Sequence, residues 1–218
     1  MDLAKRSFRT RLRVGLTETY VSLLPYLPIP LELHRRLMLA DSNRRVASGG
    51  WSYLDDISEA HRHGVVAAFC TYFTDTSRRV LDVGCGAGTL LRHLACGEYT
   101  GIDVAPEQIG KALRTHGHAG RFLIADANTF QPEGMLDAIV FNESLYYMPE
   151  PMRQVERYCR FLAPGGILVL CMFETNVARH IWRAMRATGM SERTRVKLVN
   201  ENGFISIAKA FSDRRVPV

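Results

Sequence analysis

The segment VLDVGCGAG, residues 80–88, limits the folds open to this chain more than any other part of its sequence. It begins with a strand-like apolar run and continues into glycines at positions 84, 86 and 88. Glycine has no Cβ, so glycines at alternate positions allow the backbone to turn sharply and to lie close to a ligand. A strand that ends in such a turn is typical of the ligand-binding edge of an α/β fold.

Strand and helix patterns alternate along the rest of the chain. Strand-like segments lie at residues 79–83, 99–104, 122–125, 136–142 and 167–173, and helical patterns lie at 89–94, 106–113, 151–162 and 176–188. Two further strand-like segments, 193–199 and 204–211, flank the turn residues 201–203 and predict a hairpin. We therefore predict a doubly wound α/β fold with a mostly parallel sheet and one antiparallel strand.

The length of 218 residues suits one α/β domain with an extension. Residues 1–50 carry helical patterns interrupted by Pro25, Pro28 and Pro30, so we predict a helical N-terminal extension before a domain at 51–218. Five of the first thirteen residues are Lys or Arg and only one is acidic, within a formal net charge of +6. This basic arm could contact phosphate groups or an anionic membrane surface, resemble a transit peptide, or be a solvated helix face.

The five cysteines form no CxxC pair and no metal-ligand spacing. The chain also shows no secretory segment and no apolar run long enough to span a bilayer. We therefore expect reduced thiols, no bound metal and a cytoplasmic location.

Two acidic residues near the glycine turn indicate which ligand it holds. Dinucleotide-binding turns follow G-x-G-x-x-G, but the last position of that pattern is Thr89 here. Asp82, just before the turn, would repel a diphosphate and attract an ammonium group. Asp103 ends the next strand about 20 residues after Gly84, where a carboxylate can accept hydrogen bonds from both ribose hydroxyls. The pattern favours a nucleoside that bears an amino acid over NAD.

Five motifs occur in order along the chain: VLDVGCGAG, GIDVAPEQIGKA, FLIADANTF, LDAIVFNESLYYM and FLAPGGILVL. Together they resemble the class I S-adenosylmethionine-dependent methyltransferases over residues 78–173. The resemblance implies a Rossmann-like seven-stranded sheet with an antiparallel last strand. It also implies S-adenosylmethionine as the cofactor and S-adenosylhomocysteine as the product.

The resemblance assigns cofactor contacts to the turn and to the acidic residues beside it. Asp82 should lie near the amino-acid end of the cofactor, and Asp103 should hold the ribose. The turn itself should pass under the methionine and ribose portions, and its binding residues are Gly84, Cys85, Gly86 and Gly88.

Four further cofactor contacts follow from the later motifs. Val104 should pack on the adenine, and Asp126 with Ala127 should recognise its amino group. Asn142 should offer its carbonyl to the methionine ammonium. Asp126 could alternatively cap a helix N-terminus.

The acceptor should bind beside FNESLYYM, residues 141–148, at the carboxyl end of the fourth strand. The tetrapeptide NESL differs from the N/D-P-P-Y/F motif of nucleic-acid amino methyltransferases, so that activity is disfavoured. Many small-molecule relatives carry E-x-L-E-H, and this register puts Tyr146 and Tyr147 in place of the Glu-His pair. Tyr147 could orient the acceptor, pass on a proton or pack under a lid, and Glu143 could shape the methionine pocket or act on the acceptor.

The remaining candidates precede the glycine turn, because the C-terminal part is too compact to cover a substrate. The segment WSYL, residues 51–54, resembles the aromatic entry segment of some small-molecule methyltransferases. Tyr53 could contact the donor and Arg62 could pair with its carboxylate. His61 or His63 could act as a general base, since imidazole titrates near about pH 6.5. A solvated helix face would explain Arg62 and His63 equally well.

These observations predict an S-adenosylmethionine-dependent methyltransferase that acts on an oxygen or nitrogen of a small molecule, such as a sugar, a secondary metabolite or a lipid-linked compound. One alternative is an RNA or protein methyltransferase that docks through the basic arm, which lacks interleaved aromatic residues. Another is a cofactor-binding scaffold without catalysis. We expect a monomer or homodimer whose partner is a small molecule, with nucleic acid disfavoured.

Overall fold

The computed structural model describes residues 57–74, 78–201 and 203–213, together with Pro30, Glu32, Leu33, Arg36, Leu37, Ala40 and Arg44. The last six of these isolated positions are helical, and the rest of the extension lies outside the described residues. Four α-helices are numbered from Ile57: α1 (Ile57–Phe73), α2 (Pro106–His116), α3 (Pro151–Cys159) and α4 (Asn176–Met185). Seven strands accompany them: β1 (Arg79–Val83), β2 (Glu98–Asp103), β3 (Arg121–Ile124), β4 (Leu136–Asn142), β5 (Leu162–Phe173), β6 (Met190–Val199) and β7 (Ile205–Asp213).

The seven strands form one sheet in the order β3-β2-β1-β4-β5-β7-β6. Strands β1 to β5 run parallel to one another, whereas β7 runs antiparallel to both β5 and β6. The predicted seven-stranded Rossmann-like sheet with an antiparallel last strand is therefore confirmed. The strand order reverses between β1 and β4, and ligands of such folds bind beside the carboxyl ends of the strands at this point.

The central strands β4 and β5 are buried on both faces, which accounts for their nearly uninterrupted apolar sequence. On one face, Leu81 and Phe141 pack with Tyr158 of α3 and with apolar residues of α4. On the other face, Val80 and Val140 pack with apolar residues of α1 and α2. The two cores hold the sheet rigid, so that the loops at its carboxyl edge are placed by packed elements.

The starts of two strands differ most from the sequence-based expectation, whereas the other strand boundaries differ by one or two residues at most. Strand β5 begins at Leu162, ahead of its Pro-Gly-Gly segment, because Leu136 pairs with Leu162 before a register shift brings Ala138 opposite Ile167. Strand β6 begins at Met190, and a second register shift between Glu192 and Thr194 breaks the alternation of its side chains. Such a bulge changes which face a residue occupies, so a period-two pattern cannot extend across it. The predicted helix at 89–94 is a 3-10 helix, Thr89–His93.

Within the part of the chain that the structure describes, no helix is long and apolar enough to cross a membrane. All five cysteines are free, with Cys70, Cys85 and Cys171 buried.

Candidate functional site

The glycine turn joins β1 to the 3-10 helix at the carboxyl edge of the sheet. Gly84, Gly86 and Gly88 have φ angles of 79°, 54° and 78°, a left-handed region that other residues seldom adopt. The amides of Gly84 and Cys85 donate hydrogen bonds to the carbonyl of Ile102 at 2.8 and 3.0 Å. The turn is therefore fastened to the end of β2, directly beside Asp103.

The three glycines of the turn serve different purposes. A Cβ at Gly84 would collide with the side chain of Ser144, and a Cβ at Gly88 would lie 2.7 Å from the ring of Phe122. A Cβ at Gly86 would meet no protein atom within 4 Å. Gly84 and Gly88 are thus required by packing, whereas Gly86 leaves its backbone open to a ligand.

Asp103 holds the turn in place through both of its carboxylate oxygens. Oδ2 accepts a hydrogen bond from the amide of Gly86 at 3.0 Å, and Oδ1 accepts one from the amide of Ala105 at 2.8 Å. Burial raises the pKa of the Asp103 carboxyl, and the two amide hydrogen bonds oppose that rise. Each oxygen retains a second lone pair for a further donor.

Three adenine-side candidates lie near Asp103, namely Val104, Asp126 and Ala127. Val104 follows Asp103 directly and is one of the exposed large apolar residues, with 36% of its surface accessible. Asp126 uses Oδ1 to accept hydrogen bonds from the amide and the side chain of Asn128, so it stabilises the loop after β3. The carbonyl of Ala127 accepts a hydrogen bond from Tyr158 at 2.9 Å.

Asp82 is a buried carboxylate on the α1 side of β1. Its Oδ2 accepts a hydrogen bond from the hydroxyl of Tyr99 at 2.7 Å. Its Oδ1 is buried and accepts no hydrogen bond within the structure as described. Burial raises the pKa of Asp82 to about 7, although the hydrogen bond from Tyr99 lowers it. A buried oxygen that lacks a donor favours a ligand with N–H groups at this position.

The N-terminal half of α1 contacts the end of β4 through a network of buried polar side chains. Arg62 is ion-paired with Glu59, one turn earlier on α1, over 3.2 Å. Its Nη1 donates a hydrogen bond to Oδ1 of Asn142 at 2.6 Å. The amide nitrogen of Asn142 donates in turn to Nδ1 of His63 at 3.1 Å. The structure thus brings the predicted residues Arg62, His63 and Asn142 into direct contact.

Glu143 follows β4 with an unusual backbone and a buried carboxylate. Its φ is 58°, although it is not a glycine. Oε2 accepts hydrogen bonds from the amide of Phe173, at 3.1 Å, and from the hydroxyl of Tyr146. Oε1 is buried and accepts no hydrogen bond from any residue that the structure describes. Burial raises the pKa of Glu143 to about 7, while the charge of Arg62 and the hydrogen bond of Tyr146 lower it.

The two tyrosines of the LYY segment differ in exposure. Tyr146 is buried, whereas Tyr147 is half-buried, and their rings lie 4.6 Å apart. Both belong to the 3-10 helix Leu145–Tyr147. This helix lies beside the glycine turn, because Ser144, the residue before it, donates a hydrogen bond to the carbonyl of Val83. Tyr147 is therefore the more accessible of the two to a bound molecule.

For two of the predicted cofactor-binding residues, Tyr53 and Cys85, the structure shows no side chain at this site. Tyr53 lies outside the described residues. The thiol of Cys85 is buried in the core against Gly101, so Cys85 meets the site only through its backbone. Among the described residues, no group of three His, Cys, Asp or Glu side chains is placed to hold a metal ion.

Sequence reasoning missed two members of the polar network. Glu59 lies three residues before Arg62, and this helical spacing of opposite charges could have revealed the pair. Asn200, in the hairpin turn, donates a hydrogen bond to Oε1 of Glu59 at 3.3 Å. This contact joins residues that are far apart in the chain, and no local pattern announces it.

A family model described as a methyltransferase domain matches residues 53–211. The chain is 33% identical over 121 residues to trans-aconitate 2-methyltransferase of Methylobacterium radiotolerans, which covers 54% of this chain and 46% of that protein. It is 36% identical over 100 residues to ubiquinone biosynthesis O-methyltransferase of Xanthomonas oryzae pv. oryzae, covering 42% of this chain and 41% of that protein. In these matches the chain spans less than half the length of its relatives.

Solved structures share the same fold. The N-methyltransferase NodS from Bradyrhizobium japonicum WM9, crystallised with S-adenosyl-L-homocysteine, superposes with a TM-score of 0.64 at 22% sequence identity. The superposition covers 84% of this chain and 98% of that chain. At this level of identity the likeness shows a common fold.

Proposed function

The chain belongs to the methyltransferase domain family, and from this premise we propose that it transfers a methyl group from S-adenosylmethionine to an oxygen or nitrogen of a small molecule. The observation that carries the proposal is the meeting of the open glycine turn, Asp103 and Asp82 at one edge of the sheet. Relatives named for O- and N-methylation both share the fold or the sequence pattern, so either atom is compatible with the family.

The residues present at this edge fit S-adenosylmethionine. The backbone at Gly86 lies open, so a ligand can approach it more closely than any side chain would allow. The free Oδ1 of Asp82 suits an ammonium group. The carboxylate of Asp103 has lone pairs left for hydroxyl groups, and Val104 offers an accessible apolar surface. These features match the amino acid, ribose and base of the cofactor in that order.

S-adenosylmethionine supplies a methyl group on a positively charged sulfur, which is an excellent leaving group. The protein therefore needs chiefly to align the acceptor with the donor and to exclude water. In our proposal Asp82 and the carbonyl of Asn142 hold the ammonium, and Asp103 holds the ribose. Asp126 and the amide of Ala127 recognise the adenine amino group. Arg62 acts by orienting Asn142, to which it donates a short hydrogen bond.

The acceptor site of our proposal lies beside the loop after β4. Tyr147 is half-buried and orients the acceptor. Glu143 faces the α1 side and exchanges a proton with the acceptor. His63 supports this arrangement through Asn142, and a proton taken from the acceptor could also reach its imidazole. Because His63 is buried and hydrogen-bonded to Asn142, its main role in our proposal is to position Asn142.

Methyl transfer from isotope-labelled S-adenosylmethionine tests the proposed function. The chain is incubated with the small-molecule, RNA and protein fractions of a cell extract, and we expect label in the small-molecule fraction. Label confined to RNA or protein would contradict the proposal and favour docking through the basic arm. Tight binding of S-adenosylhomocysteine with no label in any fraction would indicate a non-catalytic scaffold.

We further propose that the extension at residues 1–50 covers the acceptor site. The described C-terminal elements contain no insertion between β5 and β6 beyond α4, which supports a cover from the N-terminal side of the glycine turn. Deletion of residues 1–50 should preserve the affinity for S-adenosylhomocysteine within about twofold while lowering turnover. An unchanged turnover number would contradict the lid role.

A further inference from the structure

Glu143 has a strained backbone at the point where the acceptor should bind. Its φ of 58° is costly for a residue other than glycine, and such strain persists only where the surroundings enforce it. Strand β5 provides this restraint twice. The amide of Glu143 donates to the carbonyl of Cys171 at 2.8 Å, and the amide of Phe173 donates to Oε2 at 3.1 Å. Backbone and side chain are thus held together in one orientation.

This orientation makes the two carboxylate oxygens of Glu143 unequal. Oε2 has two donors, the amide of Phe173 and the hydroxyl of Tyr146. Oε1 is buried without a donor in the part of the chain that the structure describes. A buried acceptor without a donor is unfavourable, and such groups are rare in folded proteins. The site therefore favours a ligand that brings an N–H or O–H group to Oε1.

The charges around Glu143 favour a cation as that ligand. The groups that face its carboxyl are Arg62 and Glu59 from α1, Tyr146 from its own loop and Cys171 from β5. Arg62 is already ion-paired with Glu59. When Glu143 is ionised, the two carboxylates and the one guanidinium leave one negative charge uncompensated. A buried charge is stable only when it is paired, so the cluster suits one further positive group.

We infer that Glu143 binds the ammonium form of an amine acceptor at Oε1 and takes its proton, so that the substrate class of this methyltransferase is amines. The inference rests on the proposed methyl-transfer function and narrows its acceptor. In this step R–NH₃⁺ gives a proton to the Glu143 carboxylate. The amine lone pair then forms a C–N bond to the donor methyl, and the C–S bond breaks with its electron pair remaining on sulfur. The product is R–NH₂⁺–CH₃, and the proton on Glu143 passes to solvent.

The basicity of the carboxylate agrees with an amine better than with an alcohol. Burial raises the pKa of Glu143 to about 7. An alkylammonium such as that of lysine has a pKa of about 10, whereas the pKa of a hydroxyl such as that of water lies far above that value. A carboxylate of this strength can remove the proton of an ammonium at a moderate cost, but it cannot appreciably ionise a hydroxyl.

Binding of matched amine and alcohol pairs to the full chain loaded with S-adenosylhomocysteine tests the inference. The pairs are butylamine with butanol and benzylamine with benzyl alcohol, measured by calorimetry at pH 8, where both amines are ammonium ions. We expect at least one amine to bind tenfold or more tightly than its alcohol. Glu143→Gln should reduce this preference below threefold. Glu150→Gln is the matched control. Glu150 also has a left-handed backbone conformation and lies in the same segment between β4 and α3, but its side chain is exposed.

The pH dependence provides a second measurement that needs no variant at position 143. Protonation of Glu143 removes its charge, so the amine preference should fall at least threefold between pH 8 and pH 6. Tyr146→Phe removes a hydrogen bond that lowers the pKa of Glu143, so the fall should shift to higher pH. A preference that does not change between pH 8 and pH 6 would overturn the inference even if Glu143→Gln did not fold.

Three outcomes distinguish this inference from its rivals. If the unsubstituted chain did not bind S-adenosylhomocysteine, the proposed function itself would be contradicted. Retained binding without an amine preference, or with a preference that survives Glu143→Gln, would overturn only the inference. If Glu143→Gln weakened S-adenosylmethionine at least tenfold but left S-adenosylhomocysteine unchanged, the carboxylate would serve the donor sulfonium, and the inference would again be overturned.

Discussion

Replacement of Asp103 by alanine probes the donor site most directly. The carboxylate accepts hydrogen bonds from the amides of Gly86 and Ala105 at 3.0 and 2.8 Å. It has lone pairs left for two ribose hydroxyls. A hydrogen bond to a charged group contributes about 1.5–3 kcal/mol. Loss of two such ribose contacts sets an upper limit of about 3–6 kcal/mol, and water that enters the space returns part of it. We expect the affinity for S-adenosylhomocysteine to fall by about 10- to 100-fold, or about 1.4–2.8 kcal/mol.

Stability must be measured beside affinity, because Asp103 also supports the turn. The alanine variant leaves two amides without their acceptors, so the free energy of unfolding should fall by about 1–3 kcal/mol. Asp137→Ala is the matched control. Asp137 accepts a hydrogen bond from the amide of Arg79 at 2.7 Å, at the opposite edge of the sheet. The Asp137→Ala variant should show a similar fall in the free energy of unfolding and an unchanged affinity for S-adenosylhomocysteine.

Calorimetry with S-adenosylhomocysteine and unfolding in urea separate the two effects. Unchanged affinity in Asp103→Ala would refute the assignment of this carboxylate to the ribose. Equal losses of affinity in Asp103→Ala and Asp137→Ala would refute it as well, because they would trace the effect to a general loosening of the sheet.

Three further predictions concern the same edge of the sheet. Burial raises the pKa of Asp82 to about 7. The folded protein therefore holds a proton that the unfolded chain releases above about pH 4, so stability falls between about pH 4 and pH 7 by up to about 1.4 kcal/mol per pH unit. Asp82→Asn should remove this part of the slope in urea unfolding at pH 5 and pH 7, and an identical slope would contradict the burial effect. Gly86→Ala should cost about 1–2 kcal/mol of stability through its left-handed backbone and weaken S-adenosylhomocysteine at least tenfold. Gly165→Ala, with a φ of 81° and equally open space, should keep its affinity in the same calorimetric titration. Arg62→Met leaves Glu59 buried without its ion pair and should lower the free energy of unfolding by about 3–5 kcal/mol, whereas a double variant with Glu59→Gln should recover most of it. An equally unstable double variant would show that packing, and not charge, sets the cost.

Local pattern was enough for much of the fold. Strand β4 begins at Leu136 and ends at Asn142, as its apolar run predicts, because both ends of that run are marked by polar or turn-forming residues. The hairpin of β6 and β7 follows from alternation around a turn that contains Gly203. The boundaries of β5 and β6 could not be predicted, because each contains a register shift that depends on the partner strand.

The candidate site divides in the same way. The glycine turn and Asp103 are recognisable from spacing, because turn conformation and strand ends are local properties. The role of Gly84 is different. Its Cβ would collide with Ser144, which comes from a distant loop, so packing explains a glycine that the sequence assigns only to ligand approach.

The sequence by itself determined the fold class, the glycine turn and the class of donor, because side-chain periodicity, backbone freedom and short spacings act over a few residues. Only the tertiary structure decided which charges meet. Arg62 reaches Asn142 across 80 residues of sequence, and Glu143 is clamped to β5 with one carboxylate oxygen left without a donor. Burial and charge pairing arise when helices and strands pack, and for that reason the acceptor chemistry became visible only in the folded chain.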